Sequence, residues 1–141
     1  MIYTKIKLIE NGKLPEYTRN GDACLDCYSR CETPIEIKPK ERALIPLGFA
    51  LELPVNYEAV IRPRSGNSKN GVDCCIGTID SNYRGEVMAC LVNNMNVAIV
   101  IENETRVCQM AIREAPTVFF EVVDKLSETE RGSNGFGSSG K

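Results

Sequence analysis

The chain has no histidine among its 141 residues. That absence removes Ser–His and Cys–His nucleophilic pairs, so any general base must be a carboxylate, a lysine, a tyrosine or a thiolate. Long apolar runs are missing too: none approaches the ~18 residues that a membrane-spanning helix needs. Nor is there an excess of one charge. With 17 Lys and Arg against 19 Asp and Glu, the formal charge is −2, which implies no general polyanion-binding surface and no nucleic-acid partner. The opening stretch, MIYTKIKLIE, alternates in polarity and lacks the basic-then-apolar order of an export signal. These absences lead to the expectation of a soluble, cytoplasmic domain with no membrane partner and room for one real core.

Cysteine is plentiful but badly counted for a disulfide framework, because there are 7 and no export signal accompanies them. Cys24, Cys27 and Cys31 form a C-x2-C-x3-C run of the kind that binds zinc or an iron–sulfur cluster. No fourth cysteine follows at matching spacing. Cys74, Cys75, Cys90 and Cys108 sit in apolar, strand-like surroundings, where cysteine behaves as a small hydrophobe. Reduced, structural thiols are therefore expected. A metalloprotein built on the first three is the alternative, which metal analysis of the purified protein decides.

What the chain does have is period-2 patterning. Ile2, Ile6 and Leu8 fall on one face of an extended segment and Lys5 and Lys7 on the other, as a strand requires. β-rich pieces recur at 35–38, 43–53, 59–62, 86–92, 97–101, 106–112 and 117–123, with Pro, Gly or Asn in most gaps. No sustained 3.6 period is present. The one helical turn expected is SGNSKN, residues 65–70, which is well supplied with N-capping residue types. Short strands without crossover helices imply an all-β sandwich, jelly roll or barrel.

Polar residues that interrupt this pattern carry the chemistry. In RPRSGNSKNG, Arg64 precedes Ser65 and Gly66 where a strand gives way to a turn. Free backbone N–H groups at such a corner, with an arginine fork and a hydroxyl, suit phosphate oxygens. A capped surface turn would need the same residues. In GTIDSNYRGE, Asp80 follows Thr78 and Ile79, and Ser81-Asn82 has the composition of a hairpin turn. An aspartate there can orient and deprotonate a water, or it can simply cap the turn. The chain closes with RGSNGFGSSGK, in which 4 of 11 residues are glycine and 3 are serine. That segment cannot bury enough surface to fold alone.

Taken together and in order, GDACLDC, RPRSGNSKNGV, GTIDSNYRGE, TRVCQMAI and RGSNGFGSSG resemble the five motifs of the homotrimeric dUTPases, the deoxyuridine triphosphate nucleotidohydrolases. The resemblance covers nearly the whole chain and is closest in the second, third and fifth motifs. It implies a distorted jelly-roll-like β-barrel over residues 1–125, with residues 126–141 as a flexible C-terminal arm that closes over the site. It also implies hydrolysis of dUTP to dUMP and pyrophosphate, limiting uracil in DNA and supplying dUMP for thymidylate synthesis. On the same basis, Asp80 activates the water that attacks the α-phosphorus. Tyr83 packs under the deoxyribose and leaves no space for a 2′-hydroxyl. Backbone groups of Gly77, Thr78 and Ile79, and of Met88 on the returning strand, read uracil.

Arg64, Ser65 and Gly66 match the family's phosphate-binding corner, and Gln109 matches the glutamine that bonds the phosphate region. Asp26 matches an aspartate that helps hold Mg2+ through water. From the arm, Arg131 would meet the γ-phosphate, Phe136 would stack on uracil, and Gly137, Ser138 and Ser139 would contact phosphate. Sites at the subunit interfaces of a homotrimer follow from the same resemblance.

Departures from the family pattern are Cys24 in place of glycine, Leu25 in place of an aromatic, Cys27 in place of leucine, Thr105 in place of an acid and Asn134 in place of glycine. Thr105 leaves open which ion pair Arg106 makes. Two further readings of the same fold are a dCTP deaminase and a nucleotide-gated regulatory protein with a protein partner. The intact GTIDSNYRGE hairpin and the glycine-rich fifth motif argue against the deaminase.

Overall fold

The structure is a computed structural model that describes residues 1–135. Eleven short strands and a single five-residue helix make up the described chain. In order these are β1 (Lys5–Leu8), β2 (Leu25–Tyr28), β3 (Ile35–Ile37), β4 (Arg42–Pro46), β5 (Phe49–Glu52) and β6 (Tyr57–Arg62). Then follow α1 (Ser65–Lys69), β7 (Val72–Cys74), β8 (Gly77–Ile79), β9 (Met88–Asn93), β10 (Ile99–Ile101) and β11 (Arg106–Glu114). The expected all-β architecture with one helical turn is what forms. No helix is long and apolar enough to cross a membrane among the described residues.

The strands pair antiparallel in four small sheets, ordered β1-β5, β10-β3, β2-β11-β6-β8 and β4-β9-β7. Non-consecutive neighbours dominate, as in jelly-roll topologies where the chain crosses between layers. Residue alternation explains the layering. Along β9, Ala89, Leu91 and Asn93 are buried while Met88, Cys90 and Val92 are half-buried, so one face enters the core and the other faces a cleft. Phe49, Ile37, Ile45, Leu47, Ile61 and Leu91 fill that core. Asn93 is the polar exception. Its Nδ2 donates to the carbonyls of Ile37 (2.9 Å) and Val97 (2.8 Å), and its Oδ1 accepts from Met95 N–H (2.9 Å). A fully bonded buried amide costs little and fixes the loop beyond β9.

Three strand expectations need correction. Residues 43–53 form two strands, not one, because Gly48 sits at φ +75, a conformation that breaks a strand and that glycine adopts freely. The break moves the chain from one sheet to another: β4 pairs with β9 and β5 with β1. Gly12 and Gly48 meet backbone to backbone there, so closely that a Cβ on either would overlap the other. The strand expected at 86–92 starts only at Met88, because Val87 is drawn to the break, donating to Phe49 O (2.8 Å) and accepting from Leu47 N–H (3.1 Å).

Residues 117–123 form no strand, and Val118, Phe119, Phe120 and Val122 stand exposed. A β-forming sequence needs a partner edge for its backbone groups, and the described chain offers none here. β1 has its partner edge in β5, but its apolar face is likewise uncovered, with Ile6 and Leu8 exposed.

The cysteines divide unevenly. Cys27, Cys31, Cys74 and Cys108 are buried, Cys24 and Cys90 are intermediate, and Cys75 is exposed. The small-hydrophobe reading therefore holds for Cys74 and Cys108 but not for Cys75. Gly48→Ala should lower stability by about 2 kcal/mol or more, from left-handed strain plus backbone overlap. The midpoint of urea denaturation checks this, and an unchanged midpoint would contradict the packing described.

Candidate active site

The residues singled out in the sequence assemble at two places. The first is a corner where β2, β11 and the start of α1 meet. Arg64 holds extended backbone at φ −93, ψ 132 and caps α1 with its carbonyl, not its side chain. The expected side-chain N-cap is therefore absent. Instead the Arg64 guanidinium turns to Asp26 on β2, with Nε donating to Oδ1 (2.9 Å) and Nη2 to Oδ2 (3.4 Å). Arg106 Nη1 reaches the same carboxylate at 3.4 Å, and Thr18 Oγ1 donates to it at 2.9 Å. Arg106 thus finds its ion pair across the sheet with Asp26, although Thr105 precedes it.

Gln109 lies between Asp26 on β2 and Arg62 on β6 in register, and its Nε2 donates to Pro63 O at 2.7 Å. Two guanidiniums share one carboxylate, so the corner keeps an excess of positive charge. Nothing lies within 4 Å of a Cβ built on Gly66, so the α1 backbone is open to an anion there. Burial opposes ionisation of Asp26, but hydrogen bonds from Thr18, Arg64 and Arg106 and the Arg64 charge outweigh it and hold the carboxyl below its usual range.

The second place is the long hairpin in which β7 and β9 pair, with β8 inside its loop and paired instead to β6. Asp80 follows the last residue of β8, and Tyr83 N–H closes a tight turn onto Asp80 O at 3.1 Å, with Ser81 and Asn82 at the centre as their composition predicted. Arg84 Nη1 clamps that turn from below, donating to Ser81 O (2.7 Å) and Tyr83 O (2.8 Å). The Tyr83 hydroxyl donates to Glu86 O at 3.1 Å, and its ring end lies where a Cβ on residue 85 would be. Only glycine leaves that space.

Gly77, Thr78, Ile79, Asp80, Tyr83 and Met88 all line one open cavity of about 300 Å³. Because among the described residues β8 ends its sheet and pairs only with β6, its outer backbone edge is open to bond a ligand. Asp80 also borders a second cavity of about 380 Å³ beside Tyr57 and Thr117.

These two places are not adjacent within one chain. β8 runs antiparallel to β6 with Gly77 opposite Ile61 and Ile79 opposite Ala59. Asp80 therefore falls level with Glu58, six residues along the strand from Arg64. At about 3.3 Å per residue that is ~20 Å, too far for one phosphorus to lie beside both. Arg131 joins neither group; its Nε donates to Asn134 O at 2.9 Å in an exposed stretch. Phe136, Gly137, Ser138 and Ser139 lie outside the described residues.

Sequence reasoning missed the support beneath the hairpin. Glu86 accepts from Arg30 Nε (3.0 Å) and Nη2 (3.1 Å), and also from Gly48 N–H (2.9 Å). Such a part-buried, two-pronged pair is stronger and more directional than a surface one. No local pattern announces it, because its partners are 56 residues apart. Among the described residues no group of three or more Cys, Asp or Glu is placed to hold a metal ion, so Cys24, Cys27 and Cys31 do not converge into a ligand set.

The fold and these two clusters define an all-β domain with a small-molecule cleft and a separate basic corner suited to phosphate. A family model described as dUTPase matches residues 10–140. The chain is 48% identical over 130 residues to the deoxyuridine 5′-triphosphate nucleotidohydrolase of Orientia tsutsugamushi strain Boryong, covering 90% of this chain and 88% of that one. It is 42% identical over 141 residues to the enzyme of the same name from Finegoldia magna, covering 96% and 99%. Among solved structures, a mutant dUTPase of Staphylococcus bacteriophage 80alpha with dUpNHpp superimposes with a TM-score of 0.91 at 25% identity over 99% of both chains. A mutant dUTPase of phage phi11 of S. aureus, described with a structural Mg(II) ion, shares the fold with a TM-score of 0.82 at 21% identity, covering 89% of this chain and 99% of that one. The chain belongs to the dUTPase family.

Asp26→Asn removes the one carboxylate that pairs with both Arg64 and Arg106. Because the Asp26 carboxyl is held low in the fold, its contribution to stability is present above the unfolded value of about 3.9 and fades as pH falls through the lower folded value. Denaturation midpoints measured against pH should therefore show wild type more stable than Asp26→Asn near neutrality. The gap should close in strong acid, and a gap that is constant down to the acid limit would contradict the ion pair.

Proposed function

We propose that this chain hydrolyses dUTP to dUMP and pyrophosphate, limiting uracil in DNA and supplying dUMP for thymidylate synthesis, at sites completed between the subunits of a homotrimer. The observation that carries this reading is the cavity that gathers Asp80, Tyr83, Met88 and the free edge of β8 around one space, in a chain of the dUTPase family. The backbone edge of Gly77, Thr78 and Ile79 supplies N–H and C=O groups for uracil. Cytosine would present a donor in place of O4 and leave such groups unpaired, a mismatch worth roughly 10⁴ in discrimination. The Tyr83 ring, anchored through its hydroxyl to Glu86 O, makes a fixed floor for deoxyribose and excludes a 2′-hydroxyl. The Asp80 carboxylate orients a water toward the α-phosphorus and takes its proton as the new P–O bond forms. Pyrophosphate carries away the electrons of the broken P–O bond.

The phosphate chain would extend into the basic corner of a neighbouring subunit, where Arg64, Ser65, Gly66 and Gln109 meet it. Two observations support an oligomer: the ~20 Å that separates the two clusters along one chain, and the exposed apolar run Val118, Phe119, Phe120 and Val122, which needs a partner edge. Residues 126–141 serve as an arm in which Arg131 meets the γ-phosphate, Phe136 stacks on uracil, and Gly137, Ser138 and Ser139 contact phosphate. Closure of such an arm would exclude bulk water.

Magnesium fits this chain only as a passenger of the substrate. The Asp26 carboxylate already accepts from Thr18, Arg64 and Arg106, and no cage of ligands surrounds it among the described residues. Mg2+ commonly keeps its waters and rides on substrate phosphates, so Asp26 would touch it through water. When bound it supplies neutralisation of phosphate charge.

Pyrophosphate release with dUTP, dCTP, dTTP and UTP tests the activity. Turnover is expected with dUTP alone, and Asp80→Asn should lower it by roughly 10²–10⁴. Full turnover in that variant would refute the assigned base, and release from no nucleotide would refute the activity. Ending the chain at residue 116 should convert a sedimenting trimer to smaller species; an unchanged oligomer would refute the role of the apolar run.

A further inference from the structure

Cys75 and Cys90 face each other across the neck of the Asp80 hairpin. The β7–β9 register sets Cys74 opposite Leu91, and one step on, Cys75 N–H donates to Cys90 O at 2.8 Å. Cys74 and Leu91 are buried, so strand alternation turns Cys75 and Cys90 together to the opposite face. Both line the cavity that holds Asp80 and Tyr83. Directly opposed, hydrogen-bonded antiparallel residues have Cα atoms about 5.5 Å apart, inside the ~4.4–6.8 Å range of disulfides. Among the described residues Cys75 is the one exposed cysteine, and Cys90 is half-buried behind it. None of the five motifs uses either residue.

We propose that Cys75 and Cys90 are a modification site: a thiol pair that closes reversibly to a cross-strand disulfide, locking the neck of the hairpin and reshaping the pocket. The oxidant class is a peroxide. The Cys75 thiolate attacks one peroxide oxygen, the O–O bond breaks, and Cys75 becomes a sulfenic acid as hydroxide leaves and takes up, as water, the proton the thiol gave up on ionising. The Cys90 sulfur then displaces hydroxide from the Cys75 sulfur, which leaves as water with the Cys90 proton. Two thiols lose two electrons and the peroxide gains them. Burial pushes the Cys90 thiol up, so Cys90 stays protonated and acts second. A dithiol reductant reverses the bond by exchange.

The covalent ring would enclose residues 75–90, which include Asp80, Tyr83, Gly85 and Glu86. It would also hold the two sulfurs about 2.05 Å apart. Displacing a catalytic group by ~1 Å can cost on the order of 10²-fold in rate. The consequence for activity rests on the dUTP-hydrolysis reading; the formation of the bond does not.

The experiment treats the intact, native oligomer with hydrogen peroxide and reads intact mass, mapped peptides, and dUTP kcat/KM before treatment, after it, and after dithiothreitol. Loss of two hydrogens per chain, mapped to a Cys75–Cys90 link, is expected. kcat/KM should fall by about tenfold or more and recover on reduction. Cys75→Ser should show an oxidised-to-reduced ratio of one, and Cys90→Ser should accumulate a trappable sulfenic acid at Cys75. No link, a link elsewhere, or a linked protein with unchanged kcat/KM would overturn the proposal. Failure of the reduced protein to hydrolyse dUTP would count against the activity alone, since mass and mapping still decide the disulfide.

Discussion

The pocket depends on the carboxylate of Glu86. It receives both prongs of the Arg30 guanidinium and the Gly48 amide, which ties together the chain beyond β2, the β4–β5 break and the foot of the hairpin. The neighbouring carbonyl of the same residue receives the Tyr83 hydroxyl. One residue therefore sets both the position of the returning strand and the tilt of the aromatic floor. Its environment is only part-buried, so desolvation is modest, while the fork geometry supplies direction. Gly48 and Gly85 are glycines for linked reasons: one must turn left-handed to present its amide, and the other must leave room for the Tyr83 ring.

From this constraint follows a division of labour. The hairpin is a rigid, apolar-walled recess with one carboxylate at its tip. The basic corner lies at the far end of β6, where Asp26 holds two arginines in a fixed orientation without neutralising both. The apolar recess and the basic corner are thus built on different parts of one sheet, separated by the length of a strand; in the proposed function the first would read the base and the second the phosphates. In the proposed function, a chain arranged this way would gain a complete site by placing its hairpin against another chain's corner. The apolar run after β11, exposed in the single chain, offers surface for such an arrangement. The cysteines follow the same division. Four are buried filler, while Cys75 and Cys90 stand on the pocket face.

Much of this was readable from the residues. Period-2 alternation and the lack of helical periodicity foretold an all-β domain. SGNSKN made its short helix, and Ser81-Asn82 made the turn that their composition required. The limits of reading are physical. Residues 43–53 look like one strand because β propensity does not reveal where a left-handed glycine must reroute the chain. Residues 117–123 look like a strand because propensity does not reveal whether an edge is present to pair with. The Arg30–Glu86 and Arg106–Asp26 pairs join residues brought together only by the completed topology. Arg64 appeared as a free anion-binding fork, whereas in the fold its donors are partly committed to Asp26.

The central claim is that one chain's Asp80 works with another chain's Arg64. It is tested most directly by mixing two separately inactive variants, Asp80→Asn and Arg64→Ala, unfolding them together and refolding. If the site is shared, mixed oligomers contain some hairpins with Asp80 facing corners with Arg64, and dUTP hydrolysis returns although neither parent has it. If activity stays absent in mixed oligomers whose assembly is verified, both residues must come from the same chain, and the division of labour described above is wrong.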